Sequence, residues 1–157
     1  MREIVYDQVD EMLEWAQHRI PGVKFRQDAS AIGMKAEDDF QGVVVFDSFT
    51  NTGCWVSVAS NGSRKWINRE FIIRVFAYVF IQLDYPRLNS FVSVNNTDAI
   101  RFNEHFGFQR EGLMTKAATS ARTRRIFSGR LGEAKLSTAP SISLTVTKYR
   151  PKRPSGK

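Results

Sequence analysis

The sequence predicts a mixed α/β domain, on the strength of two supersecondary patterns. A β-hairpin is predicted where the apolar, β-branched segments 41–49 and 54–59 flank turn chemistry at residues 51–53. A strand, a helix and a second strand then follow one another over residues 88–116. An antiparallel hairpin that leads into a strand–helix–strand crossover requires a sheet with both strand directions.

The first predicted element is an amphipathic helix. Apolar residues recur at helical spacing from Val5 to Ile20, with acidic residues on the opposite face. Pro21 and Gly22 end this pattern, as expected for a helix stop. An extended segment at residues 31–36 precedes the predicted hairpin.

A second helix is predicted after Asn68, whose side chain can accept a hydrogen bond from a backbone N–H of the first turn. The apolar stripe from Phe71 to Leu83 is too wide for an exposed helix, which indicates that this helix is largely buried. Tyr85 and Pro86 end it.

The crossover consists of a strand at residues 88–94, a short helix and a strand at residues 108–116. Asn96 is placed to cap the helix, which runs to Phe106. Gly107 occupies the position of a left-handed C-cap.

The remaining chain carries weaker signals. Residues 117–140 are rich in Ser, Thr, Ala and Arg, and alternating apolar residues at 142–146 predict a final strand. We predict one domain over residues 1–150, followed by a basic, disordered tail at residues 151–157.

Composition indicates a folded protein with a basic surface. The 157 residues are 42% hydrophobic and 12% aromatic, which argues against disorder. The net charge of +7 is compatible with nucleic acid, an acidic protein or a polyphosphate cofactor as partner, and no nucleic-acid-binding motif favours the first. Cys54 is the single cysteine, the N-terminus lacks the apolar core of a signal peptide, and no apolar run is long enough to cross a membrane. These features predict a cytoplasmic protein.

The most informative motif lies at residues 94–112. Its residues with matching type and spacing are Val94, Asn96, Ala99, Phe102, Gly107, Phe108, Glu111 and Gly112. This segment resembles the V-x-N-x-x-A-x-x-(F/L)-x-x-x-x-G-F-x-x-E-G pattern of the GNAT (GCN5-related N-acetyltransferase) superfamily, and the chain is similar to its small phage-encoded members. The resemblance implies a mostly antiparallel sheet of six to seven strands flanked by helices.

The resemblance also implies acetyl-CoA, or CoA, as the cofactor. The strand backbone at Val56 and Val58 would orient the pantetheine arm, with Asn96 and Asn103 on the short helix. The loop that would hold the pyrophosphate at a helix N-terminus is composed of Ser63, Arg64, Lys65, Trp66, Ile67 and Asn68. In this loop, Trp66 and Asn68 stand where the family has small residues. Either Arg64 and Lys65 supply compensating charge, or Trp66 fills the groove.

The predicted catalytic residues are fewer. Asn103 stands where many family members have a tyrosine that protonates the departing thiolate; an amide can donate a hydrogen bond there but no proton. Asp47 and Glu70 are the candidate general bases, and both also fit ordinary surface roles. No metal site is predicted. Cys54 is interpreted as a small buried hydrophobe.

Two functions are therefore expected. The first is an acetyl-CoA-dependent N-acetyltransferase that acts on an amine of a protein or small molecule by direct attack. The alternative is a non-catalytic protein of the same fold, of the phage-encoded kind, that binds and modulates a host protein through its basic surface. The arginines of residues 117–140 would contribute to that surface. The sequence leaves the amine and the oligomeric state open.

Overall fold

The computed structural model describes residues 1–20, 22–119 and 138–147. Its strands are β1 (Arg2–Val5), β2 (Ser30–Ala36), β3 (Asp39–Asp47), β4 (Gly53–Ser60), β5 (Arg87–Ser93), β6 (Gln109–Thr119) and β7 (Thr138–Thr147). Its α-helices are α1 (Val9–Arg19), α2 (Arg69–Ala77) and α3 (Thr97–His105), and a π-helical turn, Tyr78–Gln82, extends α2. None of the described helices is long and apolar enough to span a membrane.

The strands form one seven-stranded sheet in the order β1-β2-β3-β4-β5-β7-β6. Every neighbouring pair is antiparallel except β4 and β5, which are parallel. The prediction of a mostly antiparallel sheet of six to seven strands flanked by helices is confirmed.

Alternation along β3 shows how the sheet is covered on both faces. Val43 and Val45 belong to a core cluster with Met12 and Ala16 of α1, whereas Val44 and Phe46 belong to a second cluster with residues of α2 and α3. Because successive strand residues point to opposite faces, α1 lies on one face and α2 with α3 on the other. We call these the α1 face and the α2 face.

The predicted N-terminal helix was placed too early. Val5 is the last residue of β1, and α1 begins only at Val9. β1 has four residues and pairs with β2 from Arg2↔Ala36 to Val5↔Gly33. A strand this short has little periodicity of its own, and Val5 happens to lie four residues before Val9. Its pairing partner, about 30 residues away in the chain, decides its conformation.

The second helix begins where it was predicted. The Asn68 side chain accepts a hydrogen bond from the Phe71 N–H at 2.8 Å. At its other end the helix changes to a π-helical turn, in which the Leu83 N–H donates to the Tyr78 carbonyl at 2.9 Å. The Tyr78 hydroxyl lies 2.8 Å from the Ser30 hydroxyl on β2, so a tertiary contact accompanies the wider turn.

The close packing of Trp66 on Gly42 generates a prediction about stability. A Cβ added to Gly42 would lie 2.2 Å from the Trp66 ring, which is itself buried. We expect Gly42→Ala to lower the free energy of unfolding by about 1–3 kcal/mol, because the core must shift to admit the methyl group. Urea denaturation measures this difference.

The matched control is Gly112→Ala, where an added Cβ would meet no atom within 4 Å. We expect this variant to stay within about 0.5 kcal/mol of the parent protein. Equal stability of the two variants would contradict the packing of Trp66 on Gly42.

Candidate active site

The site begins where two parallel strands separate. β4 and β5 pair only from Gly53↔Arg87 to Val56↔Ser90, although β4 continues to Ser60 and β5 to Ser93. Beyond Val56 and Ser90 the facing edges of the two strands are therefore not paired with each other. Backbone N–H and C=O groups at such an edge need partners, and an amide-bearing ligand can supply them.

A cavity of about 40 Å³ lies beside this opening on the α2 face. The predicted cofactor-binding residues Val56, Val58, Trp66 and Asn103 all line it, together with apolar residues of α2 and α3. Val58, just beyond the last paired residue of β4, is 39% exposed. The structure thus brings the strand, the loop and the asparagine of the prediction to one place.

The loop at residues 63–68 precedes the N-terminus of α2. Side chains of the loop order its first half: the Lys65 N–H donates to the Ser63 hydroxyl at 3.1 Å, and the Arg2 guanidinium donates to the Lys65 carbonyl at 2.8 Å. Within the described chain, the backbone N–H groups of Asn68, Arg69 and Glu70 make no hydrogen bond. Three free N–H groups at the positive end of a helix suit an anion.

Trp66 does not lie over this loop surface. Its side chain is 2% exposed, packs edge-to-face on Phe71 and donates its indole N–H to the Ser60 hydroxyl at 3.0 Å. The ring therefore points into the core and forms part of the cavity wall. Ile67 is also partly buried against the core, while Arg64 remains exposed at the loop surface.

Across the opening, α3 presents its own N-terminus. Asn96 caps it by accepting from the Ala99 N–H at 3.1 Å, as predicted. Asp98 in the first turn lies 4.0 Å from Arg64, and both side chains are about three-quarters exposed. This contact connects the two sides of the opening at the solvent boundary, where ion pairs are weak.

Asn103 is held at the strand separation by a contact that the sequence did not indicate. Its side-chain amide donates to the Ser90 hydroxyl at 3.3 Å, and both residues are buried. Gly107, with φ of 89°, ends α3 in the predicted left-handed conformation, and the Phe108 N–H donates back to the Asn103 carbonyl at 3.1 Å. Ser90 was missed because a serine inside a strand resembles any polar strand residue.

The two carboxylate candidates lie elsewhere. Asp47 lies on the α1 face, opposite Trp55 in the β3–β4 register, and accepts the N–H groups of Ser48 at 2.6 Å and Arg26 at 3.3 Å. Glu70 is exposed in the first turn of α2 and pairs with Arg74 at 3.4 Å. Neither residue lines the cavity.

Cys54 is fully buried in the core cluster on the α2 face. Burial raises the pKa of its thiol to about 12, because the thiolate would lose its hydration. A neutral, enclosed thiol is a poor nucleophile, which argues against a covalent cysteine intermediate.

Solved structures have the same architecture. The ribosomal-protein-S18-alanine N-acetyltransferase of Escherichia coli superimposes with a TM-score of 0.71 over 100% of both chains, at 9% identity. The spermidine/spermine N-acetyltransferase SpeG of Vibrio cholerae gives 0.68 over 93% of this chain and 92% of its own, at 12% identity. This is the GNAT fold. A Bacillus subtilis acetyltransferase in complex with CoA gives 0.66 over 94% of this chain and 98% of its own, at 11% identity.

One protein that is related by sequence is also named as an N-acetyltransferase. The chain is 27% identical over 109 residues to the SPbeta prophage-derived uncharacterized N-acetyltransferase YokL of Bacillus subtilis. The match covers 67% of this chain and 59% of that protein. No family model matches the chain. The predicted resemblance to GNAT proteins, including a phage-related one, is confirmed.

The environment of Cys54 generates a prediction about its reactivity. We expect the thiol of the native protein to resist Ellman's reagent at pH 8, since it is buried and its pKa of about 12 leaves almost no thiolate. In denaturant it should react stoichiometrically. Complete labelling of the native protein within minutes would contradict the burial of this thiol.

Proposed function

We propose that this GNAT-fold chain is an acetyl-CoA-dependent N-acetyltransferase. The observation that carries the proposal is the separation of β4 and β5 after Val56↔Ser90, beside the free N–H groups at the start of α2. Together they offer an amide-binding edge and an anion site, the two features that a pantetheine arm and a pyrophosphate require. The CoA complex of a neighbouring structure and the N-acetyltransferase relatives support the same conclusion.

The residues present fit this cofactor. The N–H groups at residues 68–70 would bind the pyrophosphate, and Arg64 and Lys65 would add positive charge. The free edge of β4 near Val58 would pair with the pantetheine amides. The thioester would then lie near Ser90 and Asn103, where the strands separate.

The reaction would be a direct transfer. A carbon–nitrogen bond forms between the amine and the thioester carbonyl carbon, and the carbon–sulfur bond breaks. Two hydrogens remain for the sulfur: the second amide hydrogen of Asn103 and the hydroxyl hydrogen of Ser90. Neither group gives up a proton at neutral pH, so the sulfur would leave as a hydrogen-bonded thiolate and take its proton from water.

The amine must also lose a proton. Asp47 remains our candidate base on the α1 face, and Glu70 remains our candidate next to the loop at residues 63–68. We propose only that the acceptor is an amine. The neighbouring structures include a spermidine/spermine and a ribosomal-protein-S18-alanine N-acetyltransferase, and an amine is the acceptor group that their names share.

The loop at residues 63–68 generates a prediction about acetyl-CoA binding. At 100 times its Kd, acetyl-CoA should stabilise the native protein by about 2.7 kcal/mol, which raises Tm by roughly 5–11 °C for a domain of this size. We expect Lys65→Glu to abolish most of this shift, because a carboxylate would oppose the pyrophosphate. Differential scanning fluorimetry with and without acetyl-CoA measures it.

Lys24→Glu is the control, since it makes the same charge change at an exposed position in the loop after α1. It should keep the full ligand-induced shift. The proposal fails if the parent protein shows no shift with millimolar acetyl-CoA.

The Asn103–Ser90 pair generates a prediction about turnover. We expect Ser90→Ala to lower kcat about 10-fold or more, the effect of one hydrogen bond to a group that becomes charged, here the developing thiolate. The KM for acetyl-CoA should change less than about 2-fold. Steady-state kinetics with saturating amine separates the two constants.

Thr52→Ala, which also removes one hydroxyl but lies in the exposed turn before β4, is the control and should leave kcat unchanged. An unaltered kcat in Ser90→Ala would remove Ser90 from the reaction while leaving cofactor binding intact.

The non-catalytic alternative remains a prediction. Arg122, Arg124, Arg125 and Arg130, which would contribute to its basic surface, lie outside the described residues. A Tm shift with acetyl-CoA but no turnover with any amine would favour it. The predicted cytoplasmic location likewise stays a prediction.

A further inference from the structure

Two aromatic rings stack on the α1 face beside the strand separation. The rings of Trp55 on β4 and Phe91 on β5 lie 3.8 Å apart between centroids, with an interplanar angle of 13°. Phe91 is 48% exposed, although it is a large apolar side chain in the interior of a central strand. We call this pair the aromatic platform.

The register places the platform directly behind the cavity. Trp55 immediately precedes Val56, and Phe91 immediately follows Ser90, the last pair of residues at which β4 and β5 are joined. Val56 belongs to the core on the α2 face, so its neighbour Trp55 points to the α1 face. Since one strand residue spans about 3.3 Å, the rings lie within a few ångströms of the opening.

Helix α1 leaves the platform uncovered. Its buried residues Met12 and Ala16 pack against Val43, Val45 and Ala59, on β3 and β4. Phe91 lies one strand further along the sheet. A single exposed phenylalanine needs no explanation, but stacking on Trp55 holds the Phe91 ring in place beside the opening while about half of Phe91 stays exposed to a ligand.

Among the described residues, the charged groups Arg87 and Asp47 beside the platform have partners. The Arg87 guanidinium contacts Glu111 at 2.6 Å and Asn89 at 2.9 Å, and Asn89 in turn donates to the Cys54 carbonyl at 3.1 Å. Asp47, beside Trp55, accepts two backbone N–H groups. Because these charges are already paired, the surface favours a flat apolar ligand over one with several charges.

We propose that Trp55 and Phe91 select the acceptor: a primary amine with an aromatic ring two or three bonds from its nitrogen. This rests on the proposed acetyl transfer. Side chains of α2 and α3 pack against β4 and β5 on the α2 face, so an amine that approaches the opening from the α1 face passes the rings. Two or three bonds of about 1.5 Å span about 3–4.5 Å, which is comparable to the step of about 3.3 Å from Ser90, the last paired residue, to Phe91.

The test compares two amines that match in size, charge and linker. Phenethylamine carries a flat aromatic ring, and 2-cyclohexylethylamine carries a puckered saturated one. We expect kcat/KM to favour phenethylamine about 2- to 10-fold, the range of one aromatic stacking contact. A tetrapeptide that begins with Phe and one that begins with Leu form a second pair, which distinguishes a peptide N-terminus from a free amine as the source of the ring.

Phe91→Leu should reduce either preference to near unity, since it keeps apolar volume and loses the flat ring. Tyr6→Leu is the matched control: Tyr6 is 47% exposed, follows the edge strand β1 and should leave the preference unchanged. Both variants should keep the Tm shift with acetyl-CoA.

Equilibrium binding separates the platform from the activity. Calorimetric titration of each amine into the protein with CoA needs no turnover. Tighter binding of phenethylamine that is lost in Phe91→Leu supports the platform even if acetyl transfer fails. Equal kcat/KM within both pairs, or equal binding of the two amines where no turnover occurs, overturns the platform. A preference that survives in Phe91→Leu also overturns it.

Discussion

The end of the parallel pairing between β4 and β5 is the constraint on which the rest of the site depends. All other neighbouring strands of the described sheet pair antiparallel, whereas the β4–β5 boundary is parallel and its pairing ends after Val56↔Ser90. Two strands that start side by side and then separate leave backbone groups without strand partners in the middle of a sheet. Such groups are costly unless something binds them, which is why this position is suited to a ligand with amides.

The separation is stabilised by packing rather than by backbone hydrogen bonds. Side chains of α2 and α3 meet β4 and β5 in one core cluster, which includes Phe71, Val75 and Ile100. Asn103 adds a polar contact to Ser90, the last paired residue of β5. A small cavity remains where these elements meet, and it is lined by Trp66 and Phe71, the residues on either side of the segment that carries the free N–H groups. The opening and the free hydrogen-bond donors thus arise from the same arrangement of two helices on one sheet.

Trp66 illustrates how a departure from a family pattern can be absorbed. The family has a small residue there, and the sequence left open whether the indole would fill the cofactor groove. The ring turns inward instead and packs on Gly42, whose missing side chain makes room for it. A glycine 24 residues earlier thus accommodates the bulky side chain. The N–H groups at residues 68–70 remain without partners, so the loop keeps the feature that an anion needs.

The sequence by itself determined the local elements: the capped starts of α2 and α3 at Asn68 and Asn96, the left-handed Gly107, and the β-branched strands. Each depends on neighbours a few residues apart, and the spacing around them also indicated the GNAT fold. The tertiary structure decided the rest. β1 exists because β2 pairs with it, and the Ser90 hydroxyl has a hydrogen-bond partner because α3 places Asn103 against it. Trp55 and Phe91 form a surface because parallel pairing joins positions 36 residues apart. Contacts at such separations have no periodic signal in a single sequence, since packing and register alone bring them together.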